Sequence, residues 1–224
     1  MTIAPTDYHA IRARIEAASA AAGRPPARLL AVSKTKPAAA VRALAAQGQE
    51  AFGENYVQEA LAKQRELADL ALEWHLIGPL QSNKCREVAR HFDWLQCLDR
   101  AKLVAPLARQ RPPGRAPLNV LIQVNIDDEA SKSGCVPAAM AELAALVTAE
   151  PALRLRGLMA IPQPLPDLAR RRAAFERMAE LFNTLRSRHA DADTLSLGMS
   201  DDFELAIAAG ATMVRIGTAL FGAR

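Results

Sequence analysis

Two lysines near the N-terminus form a pattern typical of a reactive amine. Lys34 directly follows the short apolar run 28–33, and Lys36 stands two residues later, before Pro37. A proline favours extended backbone at the residue before it, and in an extended chain residues two apart share a face. Burial and a neighbouring like charge both favour the neutral amine, which is the form that attacks a carbonyl carbon. Lys34 is therefore a candidate nucleophile, although two solvated lysines at a strand end would give the same pattern.

A second group of residues, near the C-terminus, is suited to binding a phosphate. Ser200 precedes the helical run 201–209, so we expect it to cap this helix and to offer its hydroxyl to an anion. Gly217 has no side chain, so an anion can approach its amide closely, and Thr218 adds a hydroxyl. The two aspartates that begin the helical run are expected to point outward. Ordinary helix capping and turn formation would explain the same residues without a ligand.

Arg215 lies in the apolar run 213–217, where a charge is costly unless it is paired. It either faces a ligand or forms an ion pair with a carboxylate such as Glu54. If a nucleophilic amine, a phosphate-binding group and a buried cation meet at one site, they favour a phosphorylated aldehyde as the ligand. The four histidines show no metal-binding spacing, and His75 is interpreted as a structural residue.

These residues require a fold that brings the two ends of the chain together. Short apolar runs alternate with helical runs along the sequence, which predicts parallel β-α-β units. Eight such units most simply close into a (β/α)8 TIM barrel of the α/β class, formed as a single domain of residues 1–224. The alternative is an open doubly wound sheet, but the sequence lacks the phosphate loops typical of that fold. The predicted strands are 28–33, 50–54, 74–78, 93–98, 118–124, 153–160, 194–197 and 213–217.

Composition bears on the type of partner and on the compartment. The net charge is +4, but the basic residues do not cluster with aromatic ones, which argues against nucleic acid binding. Three cysteines without a C-x-x-C pair favour a reducing compartment. The N-terminus lacks the apolar core of a signal peptide, and no run approaches the roughly 20 apolar residues of a membrane helix. We therefore expect a cytoplasmic protein that does not bind membranes.

Seven segments of the sequence resemble the pyridoxal phosphate homeostasis protein family, in the right order and over essentially the whole chain. They are AVSKTKP (31–37), FGENYVQE (52–59), WHLIGPLQSNK (74–84), SKSG (131–134), RGLMAIP (156–162), SLGMSDD (196–202) and VRIGTALFG (214–222). The resemblance implies a barrel similar to the N-terminal domain of alanine racemase, which is fold type III of the pyridoxal 5'-phosphate (PLP) proteins. No second β domain is expected, because the sequence ends shortly after the eighth predicted strand.

The same resemblance assigns roles to particular residues. It implies that PLP is held as a Schiff base on Lys34. It implies that the phosphate is contacted by Ser200, Gly217 and Thr218, and that Arg215 lies near the pyridine nitrogen. Asn55, Met199 and residues of the segment 75–84 are implied to line the pocket.

The function that the resemblance favours is PLP homeostasis without catalytic turnover. An arginine cannot accept the proton of the pyridine nitrogen as a carboxylate would, which weakens PLP as an electron sink. The expected partners are PLP and the PLP-dependent apo-enzymes that would receive it, and the protein is expected to be a monomer. One alternative is a compact amino-acid racemase that uses Lys34 with Tyr56 or Lys36 as its two bases. Another is a regulatory or nucleic-acid-binding module.

Overall fold

The computed structural model describes residues 8–127, 133–163 and 167–222, and it forms a closed barrel of eight parallel strands. The strands pair in chain order, and the first pairs with the last. They are β1 (Arg28–Val32), β2 (Ala51–Glu54), β3 (Glu73–Leu76), β4 (Trp94–Leu98), β5 (Leu118–Gln123), β6 (Leu153–Met159), β7 (Thr194–Ser196) and β8 (Met213–Ile216). The predicted (β/α)8 barrel is confirmed.

A helix follows each strand and packs outside the barrel, and one further helix precedes β1. The helices are α1 (Tyr8–Ala21), α2 (Ala38–Ala45), α3 (Val57–Glu66), α4 (Cys85–His91), α5 (Val104–Gln110), α6 (Met140–Thr148), α7 (Leu168–Arg186), α8 (Phe203–Ala209) and α9 (Thr218–Phe221). Within the described ranges, no helix combines the length and the apolar character needed to cross a lipid bilayer.

Alternate residues of the strands face two different apolar regions. Ala31 and Phe52 belong to the large core that the strands share with the surrounding helices. Leu30 and Ala51 belong instead to a small cluster, against which Val32 packs. Because successive side chains of a strand point to opposite faces, these two sets identify the outer and inner faces of the barrel. The apolar inner cluster lies below the carboxyl ends of β1 and β2.

Candidate functional site

A pocket of about 490 Å³ opens at the carboxyl ends of the strands. Its lining consists of Val32, Lys34, Asn55, Ile77, Gly78, Pro79, Gln123, Ser133, Ile161, Met199, Ser200, Asp201, Arg215, Gly217 and Thr218. These include all seven residues that were expected from the sequence to contact a cofactor, namely Lys34, Asn55, Met199, Ser200, Arg215, Gly217 and Thr218. The fold thus brings residues from the two ends of the chain to one cavity, of a size typical for small-molecule sites.

Lys34 lies in a tight turn that follows β1, and its side chain is half-buried. The amide of Ser33 donates to the carbonyl oxygen of Gly53 at 3.0 Å, which extends the pairing of β1 with β2 by one residue. The amide of Lys36 then donates to the carbonyl oxygen of Ser33 at 3.0 Å, and Thr35 adopts a φ of 63°. The apolar strand β1 thus ends at the pocket and places the amine of Lys34 there. The turn that follows leads the chain away from the pocket.

The expectation that Lys36 shares a face with Lys34 is wrong. It assumed extended backbone, whereas the left-handed conformation of Thr35 reverses the chain between the two lysines. The ammonium group of Lys36 donates to the carbonyl oxygens of Phe221 and Gly222, both at 3.1 Å. Lys36 therefore fastens the turn to the end of α9 and does not line the pocket.

The loops after β7 and β8 meet at the pocket, and both contribute residues to its lining. The hydroxyl oxygen of Ser200 accepts a hydrogen bond from the amide of Ala219 at 3.4 Å, which ties one loop to the other. Gly198 has a φ of 85°, and a Cβ at this position would lie 2.7 Å from the Cβ of Ala206. Only glycine therefore allows the loop that carries Ser200 to pack this closely against α8.

The expected cap of α8 is also wrong. The helix begins at Phe203 and its N-cap is Asp202, so Ser200 lies in the loop before the helix. Asp202 does not point outward either, since its Oδ1 accepts from the amide of Met199 at 2.7 Å and its Oδ2 lies 3.6 Å from Nη1 of Arg171. Asp201 is exposed, as expected, but it lies on the pocket lining. The short Asp202 side chain stabilises the loop, which leaves Ser200 facing the pocket.

Arg215 is 4% exposed, and both terminal nitrogens of its guanidinium group donate hydrogen bonds to the protein. It donates to the carbonyl oxygen of Ala160 and to the carbonyl and hydroxyl oxygens of Ser196, each at 2.8 Å. Burial lowers the pKa of Arg215 to about 10, so it stays protonated at neutral pH. The suggested ion pair with Glu54 is not formed, because the carboxylate of Glu54 binds Lys63 at 2.7 Å.

A chain of hydrogen-bonded side chains connects Arg215 to the opposite end of the barrel. The hydroxyl of Ser196 donates to Oε1 of Gln96 at 2.8 Å, and Nε2 of Gln96 lies 2.9 Å from Nδ1 of His75. Nε2 of His75 contacts the carboxylate of Glu73, which also pairs with Arg28 at 2.8 Å. We call these four residues, Glu73, His75, Gln96 and Ser196, the barrel relay.

All hydrogen bonds of the barrel relay are donated in the same direction, from Arg215 toward Glu73. Arg215 can only donate, so the hydroxyl oxygen of Ser196 accepts from it and the hydroxyl hydrogen is directed to Gln96. The amide nitrogen of Gln96 then donates to His75, whose other nitrogen donates to Glu73. This fixes His75 as the neutral Nε2–H tautomer, in agreement with burial, which lowers the pKa of His75. The interpretation of His75 as a structural residue agrees with these contacts.

Comparisons with known proteins place the chain in a family. The model of the family described as alanine racemase, N-terminal domain, matches residues 6–224. A pyridoxal phosphate homeostasis protein of Pseudomonas aeruginosa is 60% identical over 216 residues, which cover 96% of this chain and 93% of the relative. One of Escherichia coli is 56% identical over 219 residues, covering 96% and 94%. The chain belongs to the pyridoxal phosphate homeostasis protein family.

A solved structure agrees with this assignment. The structure of PipY from Synechococcus elongatus with PLP bound is 40% identical to this member of the pyridoxal phosphate homeostasis protein family. The match has a TM-score of 0.80 and covers 95% of this chain and 100% of the PipY chain. The resemblance inferred from the sequence motifs is therefore confirmed.

Sequence reasoning assigned some residues of this family member to the pocket incorrectly and missed others. In the segment 75–84, Ile77, Gly78 and Pro79 line the pocket, whereas His75 belongs to the barrel relay below it. Gln123 was missed, although a polar residue inside the apolar run 118–124 was the available signal. Its Nε2 donates to the carbonyl oxygen of Ser133 at 2.9 Å. Residues 131 and 132 of the SKSG segment lie outside the described residues.

Proposed function

We propose that this protein binds PLP covalently on Lys34 and serves in intracellular PLP homeostasis and delivery, without catalytic turnover of its own. The observation that carries the proposal is the convergence of a half-buried lysine amine, a buried guanidinium group and two hydroxyl groups on one pocket. The homeostasis proteins of the same family and the PLP-bound PipY structure support it. We propose that residues 1–224 act as one domain in this function.

The chemistry of the lining residues fits a phosphorylated pyridine aldehyde. The hydroxyls of Ser200 and Thr218 can donate to phosphate oxygens, and Gly217 lets an anion approach the backbone closely. Asn55 and Met199 would contact the remainder of the cofactor. The apolar side chains of Val32 and Ile77 on the lining suit the face of an aromatic ring.

Lys34 would supply the covalent bond. When PLP is bound, the lysine nitrogen forms a C=N bond with the aldehyde carbon, and the aldehyde oxygen leaves as water with two protons from the amine. Arg215 would face the pyridine nitrogen with a group that carries only donors, so this nitrogen would accept a hydrogen bond and stay unprotonated, whereas an effective electron sink needs it protonated. The pocket would therefore hold the cofactor without activating it strongly.

The compact racemase is the less favoured function because neither Tyr56 nor Lys36, the two residues suggested as its second base, lies on the pocket lining. Tyr56 is 60% exposed, and Lys36 binds the backbone at the end of α9. Incubation with amino acids in deuterium oxide would distinguish the two functions. We expect little exchange at Cα, whereas exchange at the rate of a racemase would favour the alternative.

We propose a monomer in the cytoplasm that passes PLP to apo-enzymes. The three buried, unpaired cysteines support a reducing compartment. Mixing the PLP-loaded protein with a PLP-dependent apo-enzyme would test delivery. We expect the activity of that enzyme to return faster than it does with an equal concentration of free PLP.

Substitution of the lysine tests the site. We expect the wild-type protein incubated with PLP to be reduced by borohydride to a stable adduct on the peptide that contains Lys34. Lys34→Ala should lose this adduct and keep its cooperative unfolding, because the side chain ends in a solvent-accessible pocket. Lys36→Ala is the matched control and should retain the adduct. An adduct that persists in Lys34→Ala, or that maps to another peptide in the wild type, would refute the assignment.

A further inference from the structure

Three charged residues lie on the outer side of the barrel, directly behind the turn that carries Lys34. They are Glu54 at the end of β2 and Glu59 and Lys63 on α3, and we call them the α3 clamp. Lys63 is almost completely buried, with 6% of its side chain exposed, and Glu54 is fully buried. Their positions between β2 and α3 place them outside the pocket, and they are not part of its lining.

Lys63 binds the peptide group before Lys34. Its ammonium group donates to the carbonyl oxygen of Ser33, to Glu54 and to Glu59, each at 2.7 Å. Three acceptors satisfy the three hydrogens of the ammonium group. The hydroxyl of Ser33 also donates to Glu54 at 2.5 Å, so both the backbone and the side chain of this residue are held.

Glu59 binds the peptide group after Lys34. Its Oε1 accepts a hydrogen bond from the amide of Thr35 at 2.6 Å. Thr35 is the one non-glycine residue with positive φ in the described part of the chain, at 63°. This conformation is unfavourable for a β-branched residue and needs support from its surroundings. A charge-assisted hydrogen bond to its amide provides that support.

We propose that Glu54, Glu59 and Lys63 are positioning residues for Lys34. They fix the two peptide groups that flank it and so hold its Cα and side chain at the angle needed for covalent attachment of PLP. The inference rests on the proposed function, because it concerns the efficiency of the same covalent step. The α3 clamp is not part of the pocket lining, so it would act on a bound ligand only through the backbone of the turn.

The energetics of the clamp argue against a purely stabilising role. Burial raises the pKa of Glu54 in spite of its contacts with Lys63 and Ser33, and its Oε2 has no hydrogen-bond partner among the described residues. A buried ion pair of this kind is often no more stabilising than a well-packed apolar pair of similar volume. What apolar side chains cannot supply is a donor to Ser33 and an acceptor for Thr35.

The first test changes Glu59. Glu59→Ala removes the acceptor of the Thr35 amide, and we expect the equilibrium constant for covalent attachment of PLP to fall about tenfold. Glu59→Gln keeps an oxygen acceptor and should restore attachment to within about threefold of the wild type. Glu66→Ala, an exposed glutamate on the same helix, is the matched control and should bind as the wild type does.

A second ligand separates positioning from general damage to the site. Pyridoxine 5'-phosphate has the ring and the phosphate of PLP but no aldehyde, so it binds without forming a bond to Lys34. We expect Glu59→Ala to bind it as tightly as the wild type. An equal loss of affinity for both ligands, or unchanged attachment of PLP, would overturn the inference.

The third test removes the two buried charges of Glu54 and Lys63 together, so that the charge left without its ion-pair partner is that of Glu59, whose side chain is 27% exposed. Glu54→Leu combined with Lys63→Met keeps the buried volume, so we expect similar stability toward denaturant and the same weakened attachment of PLP. Should this double variant unfold, Glu59→Ala still decides the question. If the wild type itself forms no adduct on Lys34, the proposed function is refuted. If PLP attaches normally to both the wild type and the variants, only the positioning role of the α3 clamp is refuted.

Discussion

Arg215 combines a full positive charge with nearly complete burial, and its role depends on the geometry of its donors. Its two terminal nitrogens reach acceptors on two different segments, Ser196 on β7 and Ala160 after β6. A planar group with several fixed donors can make such contacts at once, whereas an ammonium group acts from a single point. The guanidinium group therefore also holds together the strand ends that form the pocket.

Arg215→Lys keeps the charge and tests this geometry. We expect the free energy of unfolding to fall by about 2–4 kcal/mol, because buried carbonyl oxygens of Ala160 and Ser196 would lose donors. Urea denaturation followed by circular dichroism would measure the change. Arg172→Lys, at an exposed position of α7, should be neutral. Equal free energies of unfolding for the two variants would show that the three hydrogen bonds of Arg215 contribute little to stability.

Four strands of the barrel are connected by side chains in addition to their backbone pairing. The barrel relay begins at Glu73 on β3, passes through Gln96 on β4 and ends at Ser196 on β7, beside Arg215 on β8. Burial alone would raise the pKa of Glu73, but the hydrogen bond from His75 and the charge of Arg28 lower it below its usual value. The carboxylate at the lower end of the barrel is thus stabilised in its charged form.

This lowered pKa predicts how stability depends on pH. A glutamate whose pKa is lower in the folded chain than its ordinary 4.5 in the unfolded chain binds protons more readily when unfolded. Its contribution to stability is therefore fully present above pH 4.5 and is lost as the pH falls below that value through the folded pKa. Glu73→Gln should lower the free energy of unfolding at pH 7 by on the order of 2 kcal/mol, because hydrogen bonds to a charged group are lost, and should flatten the pH profile below pH 4.5.

The measurement is urea denaturation at a series of pH values. Glu50→Gln, at an exposed position just before β2, should leave the profile unchanged. A wild-type profile that is already flat below pH 4.5 would contradict the lowered pKa of Glu73.

At the scale of the whole molecule, the cysteines report on the integrity of the barrel. Cys85, Cys97 and Cys135 are all buried and unpaired. Burial raises the pKa of the Cys97 thiol and raises that of Cys135 to about 11, so both stay protonated at neutral pH. Protonated, buried thiols react slowly with disulfide reagents.

We therefore expect no rapid reaction with a thiol-specific disulfide reagent at pH 7 in the folded protein. In denaturant all three thiols of the chain should react. Peptide mapping after brief labelling would identify any early site. Rapid labelling of Cys97 without denaturant would show that the barrel opens locally near β4.

The architecture was predictable because each strand is a short buried run between helical runs. The number of these runs, eight, favoured a closed barrel over an open sheet. The location of the candidate pocket followed, since strand ends of a TIM barrel meet at one rim. The turn at Thr35 was not predictable, because its left-handed conformation depends on Glu59 in another element. The contact of Gln96 with Ser196, 100 residues apart, depends on the tilt and stagger of the strands, which periodicity does not reveal.

The pairing of β1 with β8 has a consequence for biosynthesis. Lys34 is translated about 180 residues before Arg215, Gly217 and Thr218, which lie on and directly after the strand that pairs with β1. At ordinary rates of translation the interval is on the order of ten seconds. A nascent chain therefore carries the lysine of the proposed Schiff base long before it has the groups that would hold a ligand beside it. Under the proposed function, PLP could be retained only after β8 has been synthesised, and a chain truncated before β8 should not retain the cofactor.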